Sequence, residues 1–289
     1  MKTLLAVHAH PDDETIGMGG TLARYSDEGV RTVVVTCTSG DLGEVHLPGV
    51  PVEEGLARLP DLSQHGGVGS VRQRELEAAA GCLGVSRLAN LGYFDSGMAG
   101  WTSQNHRPGA FFAADLAEAA GRLVRVIAEE RPQVLVTYDE TGGYAHPDHL
   151  KAHQVAVAAF QASGEARPAK LYFMRIPLGW SRKFVRALRE AGIDAPASAA
   201  AGADAGPAVH EIGVLDRLVT TTIDIRGYVA VKRAALAKHA SQMPPDHFLM
   251  RMPPALAEKL WRFEYFSRER GPTNTPSGET ETDLFSGLA

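Results

Sequence analysis

The sequence predicts an α/β fold whose core is a mostly parallel β-sheet, and three observations carry that prediction. The two apolar runs 3–7 and 31–37 are nearly continuous, as is typical of strands covered on both faces. The segment 15–28 between them has helical character and ends at Gly29, which completes a β-α-β unit. With 289 residues, of which 44% are hydrophobic and 22% charged, the chain suits one large globular core. We therefore expect a Rossmann-like three-layer fold in a single domain.

The rest of the first half alternates helices and strands in the same way. Residues 38–70 lose apolar periodicity and gain Gly, Pro and acids, which indicates a long functional or disordered loop. Beyond that loop the pattern predicts a helix at 71–84, a strand at 87–91, a turn-rich piece at 93–98, a helix at 112–130 and a strand at 132–138. This alternation continues the parallel sheet.

The second half predicts shorter elements. The pattern favours a helix at 149–162, a strand at 170–174, a helix at 180–191, a β-like run at 218–225 and helices at 228–239 and 255–263. Residues 192–206 are dominated by Ala and Gly without an apolar period, which indicates a loop. We expect residues 1–175 to form a Rossmann-like catalytic domain. Residues 176–289 would then be a C-terminal elaboration that packs on the same domain and completes the substrate site.

Charge and composition argue against several classes of protein. The net charge of -5 gives no overall attraction to nucleic acid or to an anionic membrane. Two cysteines, Cys37 and Cys82, cannot form a disulfide framework, which fits a reducing cytosol. The first residues reach histidines and acids too soon for a signal peptide, and no run of roughly 18 apolar residues is present. The sequence thus predicts a cytoplasmic protein that binds neither nucleic acid nor membrane.

Two short stretches, AHPDDE at 9–14 and AHPDH at 145–149, carry the chemistry. Each follows a predicted strand and precedes a predicted helix. Because the strands of an open parallel sheet end at one rim, where ligands bind, we expect the two stretches to meet. Proline restricts the preceding residue to an extended backbone, and this constraint falls on His10 and His146.

Together the two stretches contain the groups of a catalytic metal site. A catalytic zinc takes three protein ligands and keeps one position open. Two imidazoles and one carboxylate would supply the ligands, and a further carboxylate and histidine would remain for proton transfer and charge stabilisation. The alternative is that both stretches only begin helices, because carboxylates cap free amides there. This helix-start interpretation accounts for either stretch alone. It accounts less well for two such stretches that together place three histidines at strand ends.

The two stretches resemble the LmbE-like, or PIG-L, N-acetylglucosaminyl deacetylase family of zinc-dependent amide hydrolases. The resemblance covers most of the chain and includes YDETGGYAHPDH at 138–149, DSGMAG at 95–100, HASQ at 239–242 and ETDLF at 281–285. These further features are most similar to the actinobacterial branch that deacetylates N-acetylglucosaminyl-inositol or cleaves mycothiol conjugates.

The resemblance implies that one zinc ion per chain binds to His10, Asp13 and His149, with Fe²⁺ as the alternative metal. Asp12 would be the general base that deprotonates the attacking water and later protonates the leaving amine.

The resemblance further implies that His146, as an imidazolium, stabilises the oxyanion while Asp148 holds its ring. Four residues are expected to contact the substrate: Arg72, Asp95, Tyr144 and Glu44. Read from the sequence alone, Arg72 could instead lie on a solvated helix face, and Asp95 could bond its own backbone in a turn. His239 lies in a helical run and is assigned to the core or the surface.

The sequence therefore predicts an enzyme that removes the acetyl group from a small aminosugar conjugate. A thiol-conjugate amidase with the same metal chemistry is the main alternative. A dinucleotide-binding module is more distant, because GMGG at 17–20 follows a strand but lacks the required glycine spacing. A two-metal phosphoesterase would need more carboxylate ligands, such as Asp139. The sequence leaves open whether the chain forms a homo-oligomer.

Overall fold

The computed structural model describes residues 1–43, 67–194 and 213–288, and this part of the chain contains one seven-stranded sheet. Its strands are β1 Thr3–His8, β2 Arg31–Thr38, β3 Arg87–Tyr93, β4 Val134–Thr137, β5 Lys170–Arg175, β6 Thr221–Asp224 and β7 Phe263–Arg270. The strand order is β3-β2-β1-β4-β5-β7-β6, and only the pairings of β7 are antiparallel. The predicted α/β fold with a mostly parallel sheet is confirmed.

Helices connect the strands. They are α1 Asp13–Asp27, α2 Gly67–Leu83, α3 Thr102–Asn105, α4 Leu116–Glu130, α5 Gly142–Ala145, α6 Pro147–Ala162, α7 Leu178–Glu190, α8 Val229–Leu236, α9 Phe248–Arg251 and α10 Pro254–Leu260. Short 3₁₀ turns lie at Gly164–Ala166, Asp216–Leu218 and Arg226–Tyr228. Among the described helices we find none that is both long and apolar enough to span a bilayer.

The helices cover both faces of the sheet and give three layers. Successive side chains of a strand point to opposite faces, so β1 contributes to two separate cores. Leu4 and Ala6 pack with residues of α1, α2, α7 and α8. Leu5 and Val7 pack with residues of α4 and α6. The strands between these cores are therefore buried on both sides, which explains their continuous apolar sequences.

The pairing of β1 with β4 determines where the two AHPD stretches lie. Leu5 is in register with Leu135, and Ala6 with Val136, in parallel. Both strands therefore end at the same edge of the sheet. The loops that leave them, each followed by a helix, share that edge.

Helix α1 is interrupted close to its start. Met18 has φ -148 and ψ 24, which is not a helical conformation. The helix resumes at Gly20 and Thr21, whose N–H groups donate to the Glu264 carboxylate of β7 at 3.1 and 2.7 Å. Lys232 of α8 donates to the Ile16 carbonyl at 2.8 Å and pairs with Glu264 at 2.7 Å. Residues far along the chain thus cap both pieces of α1.

Some boundaries differ from the sequence-based expectation. The pattern gives no signal for β7, and the helix expected at 255–263 ends at Leu260. Helix α4 begins at Leu116 rather than 112, because the Asp115 carboxylate accepts from the Glu118 N–H and caps the helix there. Most of the loops expected at 38–70 and 192–206 lies outside the described residues.

Candidate active site

Three histidines from the two AHPD stretches come together at the edge of the sheet. The ring centroids of His10 and His146 are 4.7 Å apart, and those of His10 and His149 are 5.4 Å apart. One ring nitrogen from each of the three lies within 4.8 Å of the others, and all three residues are buried. This is a group of side chains that could hold a metal ion.

Asp13 completes this group. Its Oδ2 lies 3.3 Å from Nδ1 of His10, and its Oδ1 lies 3.4 Å from Nε2 of His149. The Nε2 atom of His149 is buried without a hydrogen-bond partner in the described chain, and a metal ion would supply that partner. Two imidazoles and one carboxylate form a donor set that suits zinc. The residues present therefore fit the metal that the sequence predicts.

Hydrogen bonds on the far side of each ring leave the facing nitrogen free to bind a metal. Nδ1 of His149 lies 3.0 Å from the Gly142 carbonyl, so it carries the proton and Nε2 presents a lone pair. Nε2 of His10 lies 3.2 Å from the Asp148 carboxylate, which leaves Nδ1 facing Asp13. A carboxylate or carbonyl behind a ligating histidine fixes its orientation and raises its basicity.

Tyr138, which directly follows β4, contacts both Asp13 and His149 of this group. Its hydroxyl donates to Asp13 Oδ2 at 2.7 Å and accepts from the Ala9 N–H at 2.8 Å. Its ring stacks on His149 with centroids 4.3 Å apart. Burial opposes ionisation of Asp13, but His149 and His10 outweigh that effect and hold its pKa well below the usual range.

Asp12 does not serve as a helix cap. No backbone N–H of α1 bonds its side chain; instead its carboxylate accepts from Arg72 at 3.2 Å. Its backbone has φ 114, a conformation that is uncommon for residues other than glycine and costs about 1–3 kcal/mol. Burial raises the pKa of Asp12 to about 6, although the Arg72 charge opposes the shift. A strained, buried carboxylate beside a metal-type cluster is typical of a functional group rather than a cap.

The contacts of Asp148 differ from the expectation that it holds the ring of His146. Its carboxylate accepts from the Ser96 N–H at 2.9 Å and bonds His10, while its backbone N–H donates to Nδ1 of His146 at 3.1 Å. His146 is thus the N-cap of α6, and its neutral ring carries the proton on Nε2. Burial, followed by the charges of His10 and His149, lowers the pKa of His146 to about 4. The contact at Nδ1 and the lowered pKa both favour a neutral His146 that donates from Nε2 over the expected imidazolium.

A cavity of about 510 Å³ opens over the ligand group. It is lined by His10, Asp12, Asp13, Ile16, Leu42, Gly43, Arg72, Asp95, Gly97, Met98, Trp101, Tyr144, His146, Gln242 and Met243. Acids, an arginine and aromatic rings on one concave surface suit a sugar, which offers hydroxyl groups and apolar ring faces. Gln242 and Met243 come from the C-terminal part of the chain.

Three of the four expected substrate contacts line this cavity, but they are not equally available. Tyr144 is 50% exposed and lies over His149, with ring centroids 4.9 Å apart. Asp95 is buried, 3.6 Å from His10 Nε2, and also accepts from the Gly97 N–H. Burial opposes ionisation of Asp95, but the bond and charge of His10 outweigh it and lower the pKa. Glu44 lies outside the described residues.

Arg72 is largely occupied by the protein itself. Nη1 donates to the Gly40 carbonyl at 2.9 Å, and Nη2 donates to the Pro11 carbonyl at 2.7 Å as well as to Asp12. Gly40 has φ 66, and a Cβ there would lie 2.3 Å from Nη1, so a glycine is required for this approach. The helix-face alternative is therefore wrong, since Arg72 is 4% exposed and holds Asp12.

Sequence reasoning gave no role to several residues that support the site. Arg107 bonds both the Asp95 carbonyl and Asp41, and Asp41 in turn accepts from the Asp95 N–H. His239 pairs with Glu14 beneath the site at 3.0 Å. The one available signal was the position of Tyr138, which directly follows β4 and begins the YDETGGYAHPDH segment.

The residues on which the phosphoesterase and dinucleotide-binding alternatives depend have other partners in the structure. Asp139 pairs with Arg175 at 3.0 Å and belongs to neither group of described residues that could hold a metal ion. In the GMGG segment, the N–H of Gly20 is taken by Glu264, so it is not available to a phosphate.

The chain resembles known proteins over its whole length. The family model described as GlcNAc-PI de-N-acetylase matches residues 5–160. A protein of Streptomyces avermitilis named 1D-myo-inositol 2-acetamido-2-deoxy-alpha-D-glucopyranoside deacetylase is 44% identical over 100% of this chain and 98% of its own. A protein of the same name from Thermobifida fusca is 42% identical over 98% of this chain and 99% of its own.

Solved structures share the fold at lower identity. The N,N'-diacetylchitobiose deacetylase of Pyrococcus horikoshii is 19% identical, with a TM-score of 0.59 over 96% of this chain and 88% of its own. A conserved protein of Thermus thermophilus is 22% identical, with a TM-score of 0.57 over 97% of this chain and 100% of its own. At these identities the similarity establishes the fold.

Proposed function

The chain belongs to the PIG-L, or LmbE-like, family, and from that premise we propose that it is a zinc-dependent hydrolase that deacetylates an N-acetylglucosamine-type sugar conjugate. The observation that carries the proposal is the convergence of His10, Asp13 and His149 beside a second buried carboxylate, Asp12. The names of the relatives support N-acetylglucosaminyl-inositol as the substrate.

His10, Asp13 and His149 would hold the zinc ion, and Fe²⁺ is the alternative for the same donors. When bound, the ion would act as a Lewis acid toward the acetamide carbonyl and would make water more acidic. Tyr138 and Asp148 would keep the ligands oriented through the hydrogen bonds described above.

Two residues would handle protons and charge during hydrolysis. Asp12, facing the cavity, would accept a proton from the attacking water and return it to the leaving nitrogen. His146 would donate its Nε2–H to the carbonyl oxygen as negative charge develops there. The products are acetate and a free amine.

The cavity walls would bind the sugar. Asp95 would accept from a substrate hydroxyl, and Tyr144 would pack against the ligand where it enters. Arg72 would reach a hydroxyl while it also holds Asp12. We retain Glu44 as a proposed contact from the adjoining loop.

One observation favours the thiol-conjugate amidase as a second candidate. A second cavity of about 270 Å³, also lined by Ile16 and Tyr144, is walled by apolar side chains that include Phe184, Phe248 and Trp261. Such a cavity would accommodate an acyl group larger and more apolar than acetyl. The two activities differ in this acyl group and share the ligand residues.

A metal count combined with a product assay tests the proposal. We expect about one zinc per chain in the parent, and strong loss of zinc in both Asp13→Ala and His149→Ala, because each removes one of three ligands. Asp12→Ala should keep its zinc and lose turnover. Mass spectrometry of N-acetylglucosaminyl-inositol and of a mycothiol S-conjugate then separates the two activities. Turnover of neither substrate would reject the assigned substrates, and zinc loss in Asp12→Ala would reject the division of roles between the two aspartates.

A further inference from the structure

The backbone of Asp12 is held by a side chain two residues further on. Asp12 has φ 114 and ψ -30, and its N–H donates to Oε2 of Glu14 at 2.9 Å. Its carbonyl accepts from the N–H groups of Thr15 and Ile16. Because a residue with a Cβ rarely adopts this conformation, it persists only where neighbouring groups enforce it. Glu14 is the side chain that bonds the Asp12 N–H.

Glu14 is itself held in place by two donors. Its Oε1 accepts from the Thr15 hydroxyl and lies 3.0 Å from Nε2 of His239. Glu14 is 1% exposed and His239 is 0% exposed. His239 follows α8 and comes from a part of the chain 225 residues away, so its placement depends on the complete fold.

Neither Glu14 nor His239 lines the cavity, so neither can touch a substrate there. A buried carboxylate is costly unless it is paired and hydrogen-bonded, and this one directs one oxygen to a partner and the other to the Asp12 backbone. On the opposite side, Arg72 bonds the Pro11 carbonyl and the Asp12 carboxylate. Asp12 is therefore fixed at its side chain by one residue and at its backbone by another.

We propose that Glu14 and His239 are positioning residues that keep the Asp12 carboxylate turned into the cavity. His239 orients Glu14, and Glu14 enforces the Asp12 backbone conformation that an isolated chain would avoid. The inference rests on the proposed function, in which Asp12 is the general base. It gives a task to a histidine that otherwise is an ordinary core residue.

The chain offers a matched pair of substitutions at His239. In His239→Gln the amide nitrogen takes the position of Nε2 and can donate to Glu14. In His239→Asn it takes the position of Nδ1, an atom that has no hydrogen-bond partner in the described chain. We expect His239→Gln to keep kcat within about 3-fold of the parent. We expect His239→Asn to lower kcat by about 10- to 100-fold, because a shift of about 1 Å in a catalytic group can cost 10²-fold.

Two further readouts separate positioning from a general loss of structure. KM and bound zinc should stay unchanged in His239→Asn, since ligands and cavity walls are intact. A crystal structure of the metal-free variant should show Asp12 at negative φ, with its carboxylate displaced. Glu281→Gln, which alters a buried acid far from the site, should retain kcat. If His239→Asn does not fold, Thr15→Val removes the other donor to the same oxygen and should lower kcat several-fold.

The outcomes distinguish this inference from the proposed function. A parent without deacetylase or amidase activity rejects the proposed function, and the crystal structures still test the Asp12 conformation. In an active parent, unchanged kcat and unchanged Asp12 φ in His239→Asn would overturn the inference. Equal losses in the Gln and Asn variants, or losses confined to zinc or KM, would also overturn it.

Discussion

The carboxylate of Asp148 lies behind His10, a proposed metal ligand, and not behind His146, the expected oxyanion partner. It contacts Nε2 of His10 at 3.2 Å, whereas His146 receives the Asp148 backbone N–H. In the proposed function, Asp148 would orient and polarise a metal ligand, and His146 would be left to interact with the substrate. The two residues should therefore give different defects.

We predict that Asp148→Asn lowers zinc affinity by about 10- to 100-fold, because its carboxylate orients and polarises a ligand. His146→Asn should leave zinc affinity within about 3-fold and lower kcat, since its side chain can still accept the Asp148 N–H in place of Nδ1 but lacks the Nε2–H donor to the transition state. Competition with a chelator measures zinc affinity, and steady-state kinetics with saturating zinc measures kcat. Equal zinc affinities in the two variants would contradict this division.

Single residues differ in how far the sequence could foresee them. His10 and His146 were predictable because proline and strand ends constrain where they lie. The partners of Asp148, Arg72 and Glu14 were not, because a carboxylate or guanidinium in a turn has several rotamers and tertiary contacts select one. His239 had no local signal, since the group that it contacts is 225 residues away.

Among the elements, α1 shows how distant residues shape the first AHPD stretch. The helix breaks at Met18, where the glycines on either side allow the backbone to change direction. Glu264 caps the resumed helix, and Lys232 caps the carbonyl before the break. Both are nearly fully buried, at 4% and 5% exposure, so each depends on the other for charge neutralisation.

We predict that Glu264→Gln lowers the free energy of unfolding by about 3 kcal/mol, because Lys232 is left as a buried, unpaired charge. Lys232→Met should destabilise to a similar extent for the converse reason. The double variant should lose less free energy of unfolding than the two single variants together. We expect urea unfolding to give a coupling energy of at least about 1 kcal/mol between the two residues. Additive losses would show that the two residues do not act as a pair.

Strand β7 was missed because its sequence does not alternate like a half-buried strand. Four of the eight residues of Phe263–Arg270 are charged, and three of these are consecutive at its end. Glu264 nevertheless faces inward to cap α1, and Arg268 and Glu269 pair with other charged side chains. Hydrophobic periodicity cannot predict a buried position that is polar for a tertiary reason. The parallel strands and the longer helices, whose buried faces are apolar, were predicted to within a few residues, whereas the four-residue helices α3, α5 and α9 were not predicted.

The whole molecule depends on contacts between its first and last parts. Lys232, His239 and Glu264 all contact α1, and Gln242 and Met243 line the cavity. These contacts support the proposal that residues 176–289 pack on the domain formed by 1–175 and complete its substrate site. These contacts cannot be predicted from a local sequence pattern, because they join segments that are far apart in sequence.

Glu281, a buried acid in the ETDLF stretch near the C-terminus, joins distant parts of the chain through its side-chain contacts. Its carboxylate accepts from Lys170 at 2.8 Å, from the Tyr172 hydroxyl at 2.7 Å and from Thr221 at 2.8 Å. Burial raises the pKa of Glu281, but these three donors outweigh it and bring the pKa below its ordinary 4.5. Burial also lowers the pKa of Lys170, although the bond and charge of Glu281 oppose the shift.

We predict that Glu281→Gln lowers the free energy of unfolding by about 3 kcal/mol at pH 7, because Lys170 is left buried without its partner. A carboxyl whose pKa is lower in the folded state stabilises the fold fully above its unfolded pKa and loses that effect as the pH falls through the folded value. The difference between parent and variant should therefore be constant from pH 7 to about 5 and narrow below pH 4.5. Urea unfolding across this pH range measures the difference.

Glu118→Gln is the control, because Glu118 is an exposed acid paired with Arg122. This substitution should change the free energy of unfolding by less than about 1 kcal/mol at every pH in the range. A Glu281→Gln difference that stays constant down to pH 3 would contradict the assignment of a charged, stabilising Glu281.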